Sequence, residues 1–493
     1  MSRPESGKTL DYLPMHDVGS DETTMTEELP PTPPTSRLSE ALARWRRRQI
    51  AYRHLWLGRL IFWGGALAIG LFAVGFANLI DYCVEALHHL DARIPFWPFL
   101  IAPAGGALVV WLTRRYFPGA EGSGIPQVMA EMARHGDRHK PVRPLLSLRI
   151  VFGKIVLGAG AIFSGFSAGR EGPMVQIGAS LMAAIGERLP RRLQVDRRHL
   201  LAAGGAAGIA AAFNTPLAGI LFAIEELSRG LGERMSGLII TAIVIAGVVT
   251  QAFFGNYTYF GWLDLAGLSS PHHPGMLLAI VVMCGLAGGL FSRLLIWSTS
   301  GTNGRLGAWR SAYPIRFAAA CGLVVAALGW LSDSATFGTG YGEAKQLLDQ
   351  SGSLPWHYGL DKFLATVVTF ASGVPGGIFA PSLAVGAGLG QNLHGLIGGE
   401  YLPGMINVLC MAGFLAAVTQ TPITAFVIVL EMVSGYGLVI DLMIVSLLAS
   451  GISRTVCPPL YRTLAMRYLR TPPAKAKASE SETMNPPTSQ QGG

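Results

Sequence analysis

The chain has 493 residues, half of them hydrophobic and only 14% charged, against about 25% charged in an ordinary soluble domain. This balance describes a membrane protein and excludes a soluble enzyme or binding module. The formal net charge of +8 sits in basic clusters beside apolar runs, so it reports topology rather than nucleic-acid binding.

Residues 1–49 open the chain with polar sequence, including "PPTPPT" at 31–36, and predict a disordered cytoplasmic tail. No short apolar segment with a small-residue cleavage site comes before the first apolar run, which is therefore expected to target the membrane itself. Six uncharged runs are long enough to cross a bilayer as helices, at about 20 residues per crossing: 60–80, 200–224, 235–263, 275–292, 317–332 and 402–430. Three more, 155–169, 174–185 and 363–390, are short or glycine-broken and read as half-helices, which lipid tolerates only where protein or a cavity covers the exposed backbone. Residues 471–493 form a second polar tail. Basic residues crowd "ARWRRRQIAYR" before the first run, "RRLQVDRR" at 191–198 and "YRTLAMRYLRTPPAKAK" after the last, which places both termini in the cytoplasm. The five cysteines are scattered without paired spacing, and "HHP" at 272–274 has no acidic or cysteine companion, so no metal site is expected.

The chain repeats itself. "GREGPMVQIGA" and "GIFAPSLAVGA" keep one spacing, with Gly169, Pro173, Gly178 and Ala179 matched by Gly377, Pro381, Gly386 and Ala387. "TPLAGILFAIE" and "TPITAFVIVLE" then place Glu225 and Glu431 nine residues after Pro216 and Pro422. The two pairs of prolines are offset by 208 and 206 residues, so the halves, about 50–265 and 275–470, read as one duplicated architecture. Such repeats are often inverted across the membrane, with the site where their broken helices meet near the midplane.

Three segments share a design: "EGSGIP" at 121–126, "GREGP" at 169–173 and "GGIFAP" at 376–381 each run glycines into a proline suited to a first helical turn. Their free amides and partial positive charges suit a small anion that must bind and then leave. Glu171 is itself an anion able to sit on those amides, so it is expected to plug the path when ionised and leave it when protonated.

In this order and at these separations, "GSGIP", "GREGP" and "GGIFAP" resemble the three signatures of the chloride channel and transporter (CLC) family, over residues 50–470. The resemblance implies a CLC-like homodimer whose subunits each hold an anion pathway between two inverted halves, in a bacterial inner membrane. Some members are channels and others exchange chloride for protons. Carried over by position, Ser123 and Tyr461 imply hydroxyl donors to the anion, Gly172, Ile378 and Phe379 backbone amides, and Glu171 the gate. Lys154 and Arg170 imply electrostatic support, and Glu226 the internal proton-relay glutamate of the exchangers; Glu225 reads as structural. Without the family match Ser123 and Tyr461 equally suit a helix cap and an interface aromatic.

The serine of "GSGIP" matches the chloride-preferring pattern, so chloride and protons are the expected partners, with membrane lipid, and no cofactor is implied. The 23 residues after Arg470 are too few for the paired nucleotide-binding (CBS) module that many eukaryotic members append. Two functions stay open, secondary-active exchange and a passive chloride channel using the same anion site, separated only by Glu226. The G-x-S-x-G pattern "GFSAG" at 165–169 lacks the β-branched strand that a hydrolase nucleophile needs before it.

Overall fold

The computed structural model describes residues 37–91, 93–94, 96–134, 145–188, 196–227, 236–255, 260–261, 274–300, 304–397, 403–433 and 436–470. The chain falls into two units, Met1–Arg53 and His54–Gly493. In the first, the described residues form only the start of α1 (Arg37–Asp91). That helix begins inside the stretch expected to be a disordered tail, where "RLSEALARW" is rich in good helix formers. Residues 1–36, 471–493 and the histidines of "HHP" lie outside the described residues.

The second unit continues with α2 (Trp97–Tyr116), α3 (Ile125–Ala133), α4 (Leu148–Phe163), α5 (Glu171–Arg188), α6 (Arg197–Phe213), α7 (Pro216–Phe222) and α8 (Ser236–Phe254). Then come α9 (Pro274–Thr299), α10 (Gly304–Ala312), α11 (Pro314–Leu331), α12 (Tyr341–Asp349), α13 (Tyr358–Ser372) and α14 (Phe379–Ile397). The last four are α15 (Pro403–Thr419), α16 (Pro422–Val433), α17 (Val439–Val456) and α18 (Leu460–Arg470). Among the described residues the only bridges of β type are two isolated ones, Gly122 with Pro375 and Gly169 with Gly377. Among the described residues five helices are long and apolar enough to cross a membrane: Gly58–Leu90 within α1, Gly237–Phe254 within α8, and all of α9, α11 and α17.

Two of the expected single spans are broken. The run 200–224 splits at Asn214 into α6 and α7, and the run 402–430 splits at Gln420 into α15 and α16. Asn214 and Gln420 take left-handed backbone, φ 58° and 57°, and the proline two residues later starts a new helix because it needs no N–H partner there. Gln420 is anchored by its side-chain amide, which donates to the Cys457 carbonyl at 2.8 Å.

The core lies where α5 meets α6 and α14 meets α15, helices buried on nearly every side. Glycine permits that closeness, as membrane helix pairs require. A Cβ on Gly178 would strike the Gly204 carbonyl, one on Gly204 the Gly178 carbonyl, and one on Gly208 the Met174 carbonyl. In the other half a Cβ on Gly386 would stand 2.7 Å from the Cys410 carbonyl oxygen. The residues that matched in sequence therefore perform the same packing task.

The halves also lock each other. Glu431 accepts from the first free amides of α7, Leu217 N at 3.2 Å and Ala218 N at 2.8 Å. Glu225 returns the favour to α16, accepting from Ile423 N at 3.3 Å and from Thr424 N and Oγ1, both at 2.8 Å. Each carboxylate thus caps the helix start of the opposite half, where partial positive charge collects. Glu431→Ala should destabilise the fold by about 2 kcal/mol, the scale of hydrogen bonds to a charged group. Thermal unfolding in detergent reads this, and an unaltered transition would mean that water replaces the cap without loss.

Candidate functional site

The three glycine–proline segments meet at one point. Gly169 and Gly377 exchange backbone hydrogen bonds at 2.8 and 2.7 Å, Gly122 N donates to the Val374 carbonyl at 3.2 Å, and Gly376 N donates to the Gly122 carbonyl at 3.1 Å. From this knot α3, α5 and α14 depart, so their first-turn amides, which have no partner within their own helices, begin together. Ser123, Gly172, Ile378 and Phe379 are all buried here, and α18 brings Tyr461 to the same place. A Cβ on Gly172 would strike Ser123 Oγ, so only a hydrogen fits between the Gly172 Cα and the hydroxyl.

The chemistry follows from what is left unsatisfied. Ser123 Oγ and the Tyr461 hydroxyl lie beside one another, both buried, and neither finds a partner beyond the other among the described residues. A buried polar group without a full set of partners costs about 1–3 kcal/mol, and two neighbouring hydroxyl donors have the chemistry to share one small anion. The surrounding wall is aromatic: Phe379 stacks on Tyr461 with ring centroids 6.1 Å apart and planes 12° apart, and Phe213 and Phe222 meet Phe379 edge-on. Among the described residues no full positive charge sits in that wall. Lys154, fully buried, spends its ammonium on the Gly122 carbonyl at 2.5 Å, so it holds the "GSGIP" loop rather than facing the hydroxyl pair.

Glu171 is the first residue of α5 and is wholly buried. Its Oε1 accepts a hydrogen bond from the Tyr341 hydroxyl at 2.7 Å. Its Oε2 lies against Gly169, where a Cβ would collide with it, and makes no hydrogen bond among the described residues. Arg170 points away from its neighbour. The guanidinium donates to Asp81 of α1 at 3.2 Å and lies over the Tyr341 ring, 5.9 Å from its centroid.

Glu226 stands apart from Glu171. It belongs to a single π-helical turn, Ala223–Leu227, that continues α7, a distortion that recurs at functional positions. Half-buried, it lines a cavity of about 730 Å³ with Arg198, Thr419, Gln420, Arg454 and Arg462. Tyr461 lies within electrostatic reach of both glutamates. The structure therefore gathers Ser123, Gly172, Ile378, Phe379, Tyr461 and Glu171 at one junction, puts Glu226 at a separate cavity, and gives Lys154 and Arg170 partners of their own.

Sequence reasoning missed Tyr341, which belongs to no repeated motif and approaches Glu171 only through the fold. Ser167 of the G-x-S-x-G pattern is buried, its Oγ 2.9 Å from Thr366 Oγ1. No cluster of three metal-ligating side chains occurs among the described residues.

Residues 105–454 match the model of the family described as voltage gated chloride channel. The chain is 31% identical over 439 residues to a Cronobacter sakazakii protein named H(+)/Cl(-) exchange transporter ClcA, covering 84% of this chain and 90% of that one. A Yersinia pseudotuberculosis protein of the same name is 32% identical over 426 residues, covering 81% and 85%. Among solved structures, a slow cyanobacterial Cl-/H+ antiporter superposes with a TM-score of 0.70 at 23% identity, over 84% of this chain and 98% of that one. A CLC-type fluoride/proton antiporter gives 0.69 at 24%, over 83% and 98%. At these identities the superpositions speak to the fold, an all-α architecture shared along nearly the whole of both structures. Because the matched region carries all three glycine–proline segments and the knot they form, the chain belongs to the voltage gated chloride channel (CLC) family.

Proposed function

We propose that this protein is an integral membrane transporter, not an enzyme, that exchanges chloride for protons. The observation that carries the reading is the buried carboxyl of Glu171 at the helix junction, beside the orphaned Ser123 and Tyr461 hydroxyls. Chloride at the junction is held by those hydroxyls and by the amides of Gly172, Ile378 and Phe379, all neutral donors that bind and release reversibly. The ionised carboxylate of Glu171 competes for the same region of positive potential and blocks the path. Once protonated it loses that attraction, and the anion takes its place.

Glu226, on the Arg-lined cavity, receives protons from the cytoplasm and hands them on toward Glu171, with Tyr461 between the two. The names of the ClcA relatives support exchange over passive conduction. Lys154 acts by fixing the "GSGIP" loop, and Arg170 by tying the start of α5 to α1. We place the protein in a bacterial inner membrane as a homodimer surrounded by lipid, with both termini cytoplasmic, as the basic clusters indicate.

The test uses purified protein in liposomes under a chloride gradient, with voltage clamped by valinomycin and potassium and with chloride and external pH recorded together. Uphill proton movement driven by chloride is the expected result; chloride flux without proton movement makes the protein a channel. In the same assay Glu226→Gln should keep chloride movement and abolish the proton flux, and proton transport at the unsubstituted rate would mean that protons reach Glu171 by another route.

A further inference from the structure

The phenol that holds Glu171 is itself held in one position. Tyr341 opens α12 directly after the loop 336–340. Lys362 of α13, fully buried, clamps that loop by donating to three successive carbonyls, Thr336 at 2.9 Å, Phe337 at 3.3 Å and Gly338 at 3.1 Å. Gly340 takes φ +83°, and a Cβ there would meet Ala384 Cβ at 2.6 Å and Lys362 Cε at 2.8 Å, so position 340 accepts no side chain. The Tyr341 ring is 6% exposed, packs against Phe260 at 6.0 Å and lies under the Arg170 guanidinium. Aimed by these contacts, its hydroxyl reaches Glu171 Oε1.

The groups that face this carboxyl can be named. Arg170 precedes it in the chain and is tied to Asp81 of α1; Tyr341 comes from α12 and Tyr461 from α18; α14 offers the backbone at Ala380. Only Tyr341 makes a direct side-chain hydrogen bond to it among the described residues.

We propose that Tyr341 is the latch of the Glu171 gate, a positioning residue whose phenol holds the ionised carboxylate at the junction and so sets how readily a proton and chloride release it. This rests on the reading of Glu171 as the gate. A hydroxyl donating to a carboxylate forms a bond about twice as strong as one to a neutral acid, so the latch favours the charged, seated state over the protonated, released one.

The experiment measures chloride flux from liposomes against pH for the unsubstituted protein, Tyr341→Phe, Glu171→Gln and the double variant. Phenylalanine keeps the ring contacts and removes only the donor. Tyr341→Phe should raise chloride turnover at neutral pH about tenfold and move the acid-activated limb of the profile about one unit toward higher pH. The same substitution should change flux less than about twofold on the Glu171→Gln background, because no carboxylate remains to be held. An unchanged profile, or equal acceleration with and without Glu171, overturns the proposal.

3-Fluorotyrosine at position 341 is a second probe that leaves the packing intact. Its more acidic hydroxyl donates more strongly and should move the limb toward lower pH; no movement overturns the latch. Failure of proton pumping in the unsubstituted protein, with the Tyr341 effect on chloride flux intact, removes exchange and leaves the latch standing.

Discussion

Glu171→Gln protein in liposomes will carry chloride at a rate that no longer varies with pH, and will move no protons with it. Glutamine has the size and hydrogen-bonding shape of the protonated acid, but it neither ionises nor gives up a proton. Among the described residues no second carboxylate stands here to substitute for it: the side chains that face it are Tyr341, Tyr461 and Arg170. In the proposed gate the ionised carboxylate, buried among helix starts, is what excludes chloride, so a permanently neutral side chain leaves the path open at every pH. The measurement is the paired chloride and pH recording. Chloride-driven proton movement surviving the substitution would remove Glu171 from the proton route, whatever its position.

Gly204→Val will leave little folded protein. Gly204 on α6 faces Gly178 on α5 so closely that a Cβ on either would strike the other's carbonyl oxygen. Backbone cannot swing aside as a side chain can, so the helices must part, at a cost of about 3 kcal/mol or more. Parting them also moves the start of α5, where Glu171 sits. The control is Gly75→Val on α1, where an added Cβ meets nothing within 4 Å. The monodisperse fraction in detergent and the thermal unfolding transition of both variants decide the matter; an unaltered Gly204→Val transition would show that α5 and α6 tolerate separation.

Much of the site was legible because its signals are local or repeated. Glycines running into a proline announce helix starts, and three such segments announced the junction where Ser123, Glu171, Ile378 and Phe379 gather. The duplicated "TP" segments announced Glu225 and Glu431, which cap each other's half. Those same prolines carried the breaks at Asn214 and Gln420 that long apolar runs concealed: hydropathy sums over a window and does not register one left-handed residue inside it.

By itself, then, the sequence determined a membrane protein of two related halves whose helix starts converge and place a glutamate among them, since composition, spacing and proline chemistry act over a few residues. Only the tertiary structure decided what each buried charge touches. Lys154 is spent on the Gly122 carbonyl, Arg170 on Asp81 and Lys362 on the 336–338 carbonyls, and Tyr341 reaches Glu171 across 170 residues of chain. Burial makes such partners obligatory, yet which group supplies them depends on how distant helices pack, and no local pattern encodes that.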